Sequence, residues 1–276
     1  MKSDPMRVAT FMKYVLDPEI LSRDFALDPA TGLPTTTFPS FQFDQYDRIA
    51  LEIALNFREA KSGAKVISVC TGPDAAQDRL RDTLALRADG AVLIETAQPL
   101  NDYDRAAVFA GWARTQDFSI ILCGRMTSDT DSSEVGPLLA EMLGRPLIVN
   151  VVRIEERDGR IACKREVGEG YEWIFVEGPF VATATNAPDN NARKAKLQDV
   201  MRAQRLPIDR VPAPDHLQTK SGRGLKTLRA YMPSVIRVCH RIEGADAAEK
   251  AAELSRRLLP LLDQKLVGAH NPKALS

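Results

Sequence analysis

Apolar positions in the first half of the chain fall into short continuous runs separated by segments of helical spacing. "RVATFMKYV" (7–15) is the first run, and after a Pro/Gly/Thr-rich link (28–40) the stretch "DQYDRIALEIALNFREA" (44–60) gathers Ile49, Leu51, Ile53, Ala54 and Phe57 on one side. "AKVISVC" (64–70) predicts a strand and "GPDAAQDRLRDTLALRA" (72–88) a helix with Pro73 in its first turn. The alternation repeats as "GAVLIET" (90–96), "DYDRAAVFAGWARTQ" (102–116), "FSIILCG" (118–124) and "SSEVGPLLAEMLG" (132–144), the last closed by Gly144. Strands that are apolar nearly throughout, with amphipathic helices between them, predict a doubly wound α/β fold around a mostly parallel sheet.

The texture changes after residue 145. "LIVNVVRIEERDGRIACKREV" reads as two alternating runs joined at Asp158-Gly159, a β-hairpin signal, and 172–185 as further strands. Residues 146–185 therefore read as a β extension of the sheet. A polar loop then feeds a basic helix (186–207), residues 209–235 are irregular, and 244–266 is a strong helix containing Pro260. The predicted division is an α/β domain over 1–208 and a C-terminal helical arm over 209–276.

Charge and composition narrow the function classes. Lys plus Arg balances Asp plus Glu at 37 each, which gives no support for nucleic-acid binding or a membrane-surface role. No apolar run is long enough to span a bilayer, and the N-terminus lacks a signal-peptide core. The four cysteines, Cys70, Cys123, Cys163 and Cys239, form no CxxC pair and no zinc spacing; Cys70 and Cys123 end apolar runs and read as core. A reducing cytoplasm fits this usage.

Candidate chemistry concentrates at the predicted strand ends, where open parallel sheets bind ligands. The stretch "CGRMTSDTDSSEVGPLLAEMLG" (123–144) sets Thr127, Ser128, Asp129, Thr130, Asp131, Ser132 and Ser133 just before a helix. A helix start exposes unpaired N–H groups and about half a positive charge, enough to hold a phosphate. Asp131 with Glu134 also reads as a capping box that satisfies the same amides internally. Residue chemistry leaves both readings standing.

Several segments in register resemble the β subunit of electron transfer flavoproteins. "VATFMKYVLD" (8–17), "FDQYDRIALEIAL" (43–55), "VISVCTGP" (66–73), "ALRADGAVLIE" and "CGRMTSDTDSSEVGPLLAEMLGRP" each echo a family motif, and the match covers about residues 6–210. The resemblance implies a heterodimer with an α subunit that holds most of the electron-carrying FAD, while this subunit holds AMP or, in electron-bifurcating members, a second FAD. It implies nucleotide contacts at Phe11, at Asp44, Gln45, Tyr46 and Asp47, at Thr71, and from Gly124 through Arg125, Asp129, Ser132, Ser133 and Glu134 to Val135. It also implies a loop, 186–205, that docks a flavin dehydrogenase through an exposed leucine. Leu197 matches that position, with Arg193, Lys196 and Met201 around it. The loop departs from the family where "APDNNARK" replaces the usual "NEPRY". The expected function is an electron carrier without bond chemistry of its own. A stand-alone adenine-nucleotide-binding regulatory protein is the alternative.

Overall fold

A computed structural model of the 276-residue chain describes all residues except 1–4, 22, 30–31, 33, 97–98, 214–229, 233–238 and 269–276. The parallel core follows the predicted alternation: β1 (Arg7–Leu16), α1 (Gln45–Phe57), β5 (Lys65–Gly72), α2 (Ala76–Ala85), β6 (Gly90–Glu95), α3 (Asp102–Ala113), β7 (Ile120–Gly124) and α4 (Val135–Leu143). Two helices begin later than their patterns suggest. Pro73 stands in a turn whose carbonyl accepts the Ala76 N–H, so α2 starts at Ala76. Residues 132–134 belong to the loop before α4. The link after β1 carries a small hairpin, β2 (Phe25–Leu27) with β3 (Pro34–Thr36), and β4 (Phe41–Phe43), which pairs antiparallel with the end of β1.

The second half completes the sheet through β8 (Leu147–Arg157), β9 (Arg160–Val167), β10 (Gly170–Val176), β11 (Phe180–Ala184) and β12 (Asp209–Pro212). The strand order is β10-β9-β8-β11-β7-β1-β5-β6-β12, antiparallel only across β8-β9-β10. The hairpin turn has Asp158 at φ 51 and Gly159 at φ 72, the left-handed pair that a two-residue loop needs. Two boundaries differ from the sequence reading. β11 lies inside the parallel sheet, between β7 and β8, and is not part of a peripheral extension. β12 pairs with β6, so residues 209–212 belong to the sheet and not to the arm.

Side chains alternate across the sheet into two cores. Val8 and Met12 of β1 and Ile120 and Leu122 of β7 pack with α1 and α2 residues such as Leu51 and Leu80. Ala9, Phe11, Ile121 and Cys123 pack on the opposite face with Phe109 of α3 and Leu139 of α4. The period of two along each strand thus assigns one layer of helices to each face. Cys70, Cys123 and Cys163 are buried; burial pushes the Cys70 thiol up to about 12, as expected of a core residue.

The order β7-β1-β5-β6 contains a switch point. From β1 the chain winds outward through β5 and β6, then returns past β1 to lay down β7. The crevice above the C-terminal ends of β1 and β7 opens there.

Residues 231–276 form a separate unit containing α6 (Ala247–Gly268), which runs through Pro260. Leu254, Leu258, Leu259, Leu261 and Leu262 on it are exposed. Parts of the predicted arm, 214–229 and 233–238, lie outside the described residues.

Gly136 sets how closely α4 meets the sheet, because a Cβ there would overlap the Thr183 methyl and come within 3.3 Å of Cys123 Sγ. Gly136→Ala is expected to destabilise the chain by about 1–3 kcal/mol in urea unfolding. Thr183→Ser in the same chain removes the obstructing methyl and is expected to restore most of the loss; no restoration would place the constraint elsewhere.

Candidate functional site

Two carboxylates of α1 organise the switch point. Asp44 caps the helix, its Oδ1 accepting the Tyr46 N–H at 2.9 Å, while its Oδ2 accepts the Ser128 N–H at 2.6 Å and the Ser128 hydroxyl. Asp47, one turn on, accepts the Gly124 N–H on Oδ1 and the Lys13 N–H on Oδ2, each at 2.7 Å. One side chain therefore straps the end of β1 to the end of β7. Burial, reinforced by the neighbouring Asp44 carboxylate, pushes Asp47 up to about 8. Gly124 is required by this packing, since a Cβ on it would lie 2.7 Å from Tyr46 Cβ.

The loop from Arg125 to Glu134 folds on itself. Thr127 N–H donates to Ser132 O and Asp131 N–H to Thr127 O, both at 2.9 Å, with Asp131 at φ 51. This geometry does not form the capping box. Glu134 is the N-cap residue of α4, and among the described residues no side chain caps the helix; the Asp131–Glu134 capping box is absent. Only Ser132 Oγ approaches, 3.4 Å from the Glu134 N–H. The first-turn amides of α4 are thus left as donors for an anion.

The cleft is lined by Phe11 and Lys13 of β1, Arg105 and Phe109 of α3, and Met126 and Thr127 of the loop, with Ser132, Ser133 and Val135 at the start of α4. Phe11 and Phe109 stack with centroids 4.0 Å apart. Lys13 Nζ donates to Asp129 at 2.7 Å and lies 3.8 Å from Asp102. Burial pushes Asp129 up, but the hydrogen bond and charge of the Lys13 ammonium, with bonds from Thr127 and its own main chain, together hold it below the usual carboxylate range. Arg105 is 9% exposed; its Nη1 donates to Thr71 Oγ1 at 2.9 Å and its Nη2 to Leu100 O at 3.1 Å. The Arg105 Nε–H has no hydrogen-bond acceptor among the described residues, and the Asp102 carboxylate stands 3.9 Å from it.

A family model described as "Electron transfer flavoprotein domain" matches residues 39–216. The electron transfer flavoprotein subunit beta of Bacillus subtilis is 30% identical over 214 residues, covering 76% of this chain and 82% of the relative. The corresponding subunit of Thermoanaerobacterium thermosaccharolyticum is 30% identical over 223 residues, covering 74% and 82%. A protein of Acetobacterium woodii named caffeyl-CoA reductase-Etf complex subunit CarD is 29% identical over 207 residues, covering 74% and 77%. The chain belongs to the electron transfer flavoprotein family.

The structure places the residues that the electron transfer flavoprotein pattern picked out in different roles. Phe11, Asp47, Gly124, Ser132, Ser133 and Val135 meet in the cleft. Asp44 and Asp47 spend their oxygens on main-chain donors of their own chain, so they shape the cleft. Thr71 holds Arg105. Tyr46 lies under the Arg125 guanidinium, 5.0 Å from ring centroid to Cζ. Gln45 and Glu134 are exposed. Sequence reasoning missed Arg105 and Phe109. Lys13 was legible, being two residues beyond Phe11 on the same strand face; Arg105 carried no signal in its surroundings.

At the opposite end of α1 lies the candidate docking segment. Leu197 opens α5 (Leu197–Ala203) and is 77% exposed, with Met201 at 62% and Lys196 also exposed. Arg193 differs from the expectation of a docking rim. It forks onto Glu52, with Nε 2.8 Å from Oε2 and Nη2 3.0 Å from Oε1, and bonds Asn56 and Glu59 as well. Those bonds raise the Arg193 pKa and hold Glu59 low. Arg193 therefore anchors the loop to α1. Arg81 donates to the carbonyls of Ala203 and Leu206, and Arg87 pairs with Asp199 at 3.1 Å, so the helix beneath Leu197 is pinned from α2.

Asp47 gives a pH signature. Its folded value of about 8 exceeds the ordinary 3.8, so the folded chain holds this proton more tightly than the unfolded one. Its contribution to stability is present below about pH 4 and is lost as pH rises through about 8. Asp47→Asn is expected to flatten the fall in stability over that window in urea titrations; an unchanged slope would mean that Asp47 titrates normally.

Proposed function

We propose that this chain is the β subunit of a heterodimeric electron transfer flavoprotein and that its switch-point cleft holds an adenine nucleotide, AMP or a second FAD. The observation that carries this reading is the start of α4, which has no side-chain cap and lines one cleft with Lys13 and Arg105. A helix start without a side-chain cap and a buried guanidinium with an unmatched N–H suit an anionic ligand and would be costly without one. When bound, a flavin supplies one- or two-electron transfer. The chain's own residues bind and orient: main-chain amides of residues 133–136 receive phosphate, and Phe11 and Phe109 give the cleft an apolar wall. No side chain here makes or breaks bonds.

The electron-carrying FAD belongs mainly to the α subunit in this reading, and the exposed leucines of α6 fit a chain that works with a partner. AMP in the cleft corresponds to a plain carrier; a second FAD corresponds to the electron-bifurcating type. The segment 186–205 docks a flavin dehydrogenase, with Leu197 and Met201 as apolar anchors on a helix held rigidly from below.

Co-expression with an α subunit is expected to give a yellow heterodimer. Denaturing it and quantifying released nucleotides tests the reading: one FAD with one AMP, or two FAD, agrees with it. A heterodimer that releases no adenine nucleotide beyond the α-subunit FAD refutes it. Leu197→Ala is expected to slow electron exchange with the dehydrogenase at least several-fold while bound flavin stays constant; loss of flavin instead would make Leu197 structural.

A further inference from the structure

We infer that Arg105 is a ligand-facing residue of the cleft, donating its Nε–H to an oxygen of the bound anion and forming with Lys13 the cationic half of the site. The inference rests on the nucleotide reading above and adds to it the residues that recognise charge from the α3 side. A guanidinium has five N–H donors in a fixed fork. Two of its nitrogens in Arg105 are committed to Thr71 and to the Leu100 carbonyl, and these bonds fix the plane of the group. They also leave Nε, with its residue 9% exposed, without an acceptor in hydrogen-bond reach among the described residues. Buried donors are rarely left unmatched, and such a donor in a cleft wall marks a place for an acceptor that is not part of the chain.

The donors around it suit an anion. Lys13 and Arg105 both line the cleft, as does Val135, the first residue of α4. Three carboxylates temper this field. Asp129 holds Lys13 at 2.7 Å, Asp102 stands 3.8 Å from Lys13 and 3.9 Å from Arg105, and burial beside Asp44 raises the pKa of Asp47. Asp102 thus orients both cations without closing a hydrogen bond to Nε. An anion entering from the α4 side meets main-chain donors on one flank and a pre-oriented guanidinium on the other. Charge-assisted bonds of this kind are about twice as strong as neutral ones. Arg105 accordingly helps set which ligands the cleft retains, favouring phosphorylated ones over an uncharged nucleoside.

The test measures nucleotide affinity on the α/β heterodimer, stripped of its cleft nucleotide, with AMP and FAD as probes and adenosine as the uncharged control. Arg105→Met keeps most of the side-chain volume and is expected to weaken AMP or FAD at least about tenfold, with adenosine affected far less. It is also expected to shrink the rise in melting temperature that the nucleotide produces. A merely structural Arg105 would lower the melting temperature of the stripped protein and leave that rise, and the affinity, as in the parent; this result overturns the inference. Should Arg105→Met fail to assemble, Arg105→Lys decides, since it keeps the charge but not the Nε donor. A several-fold loss supports the assignment and parental affinity refutes it. A parent heterodimer that binds neither AMP nor FAD defeats the nucleotide reading itself, an outcome distinct from equal binding by parent and variant.

Discussion

The acceptance of main-chain N–H groups by Asp44 and Asp47 is the constraint on which the rest of this molecule depends. Parallel strands end at the switch point with backbone donors that no neighbouring strand can satisfy, and the crevice needs those ends held apart at fixed distances. Asp47 solves this by reaching from α1 to Lys13 N and Gly124 N at once. Asp44 does the same for Ser128, and so sets where the loop begins its path to α4. Ionisable groups buried at 0% and 6% exposure are costly unless their oxygens are matched, and here the matching is what builds the cleft.

From this arrangement follows the division of labour along α1. Its first turn fixes the cleft floor, and its middle and end hold Arg193 through Glu52, Asn56 and Glu59. The candidate cleft and the candidate docking loop therefore share one helix. The sheet separates two cores, with β1 contributing Met12 to one and Phe11 to the other, so packing on either face bears on the same strand. Loops held in this way by a scaffold are the usual location of binding residues.

Much of the fold was legible because burial leaves a strong mark on a parallel sheet. Strands such as Ile120–Gly124 are apolar throughout, and helices such as Gln45–Phe57 show one apolar side. The helix starts were misjudged where local chemistry competes: Pro73 fits a first helical turn but serves a tight turn, and Ser132 and Ser133 resemble caps but remain in the loop. β11 and β12 could not be placed because strand order is a property of distant pairing, which neither Phe180–Ala184 nor Asp209–Pro212 encodes locally. In the cleft the family pattern named residues on the α4 side, where main-chain amides tolerate varied side chains. It did not name Arg105, whose neighbours Thr71, Leu100 and Asp102 come together only in space. Arg193 was misread for the same reason: its charge looked like a rim feature until Glu52 was seen beneath it.

The central claim is that α4 begins without an internal cap so that its amides can receive a nucleotide's anionic group. The most direct measurement is a crystal structure of the heterodimer grown with AMP or FAD. The account requires a phosphate oxygen within about 3 Å of the Val135 or Gly136 amide, with Asp131 and Glu134 turned away. A helix start closed by either carboxylate, with the nucleotide bound elsewhere or not at all, would contradict it.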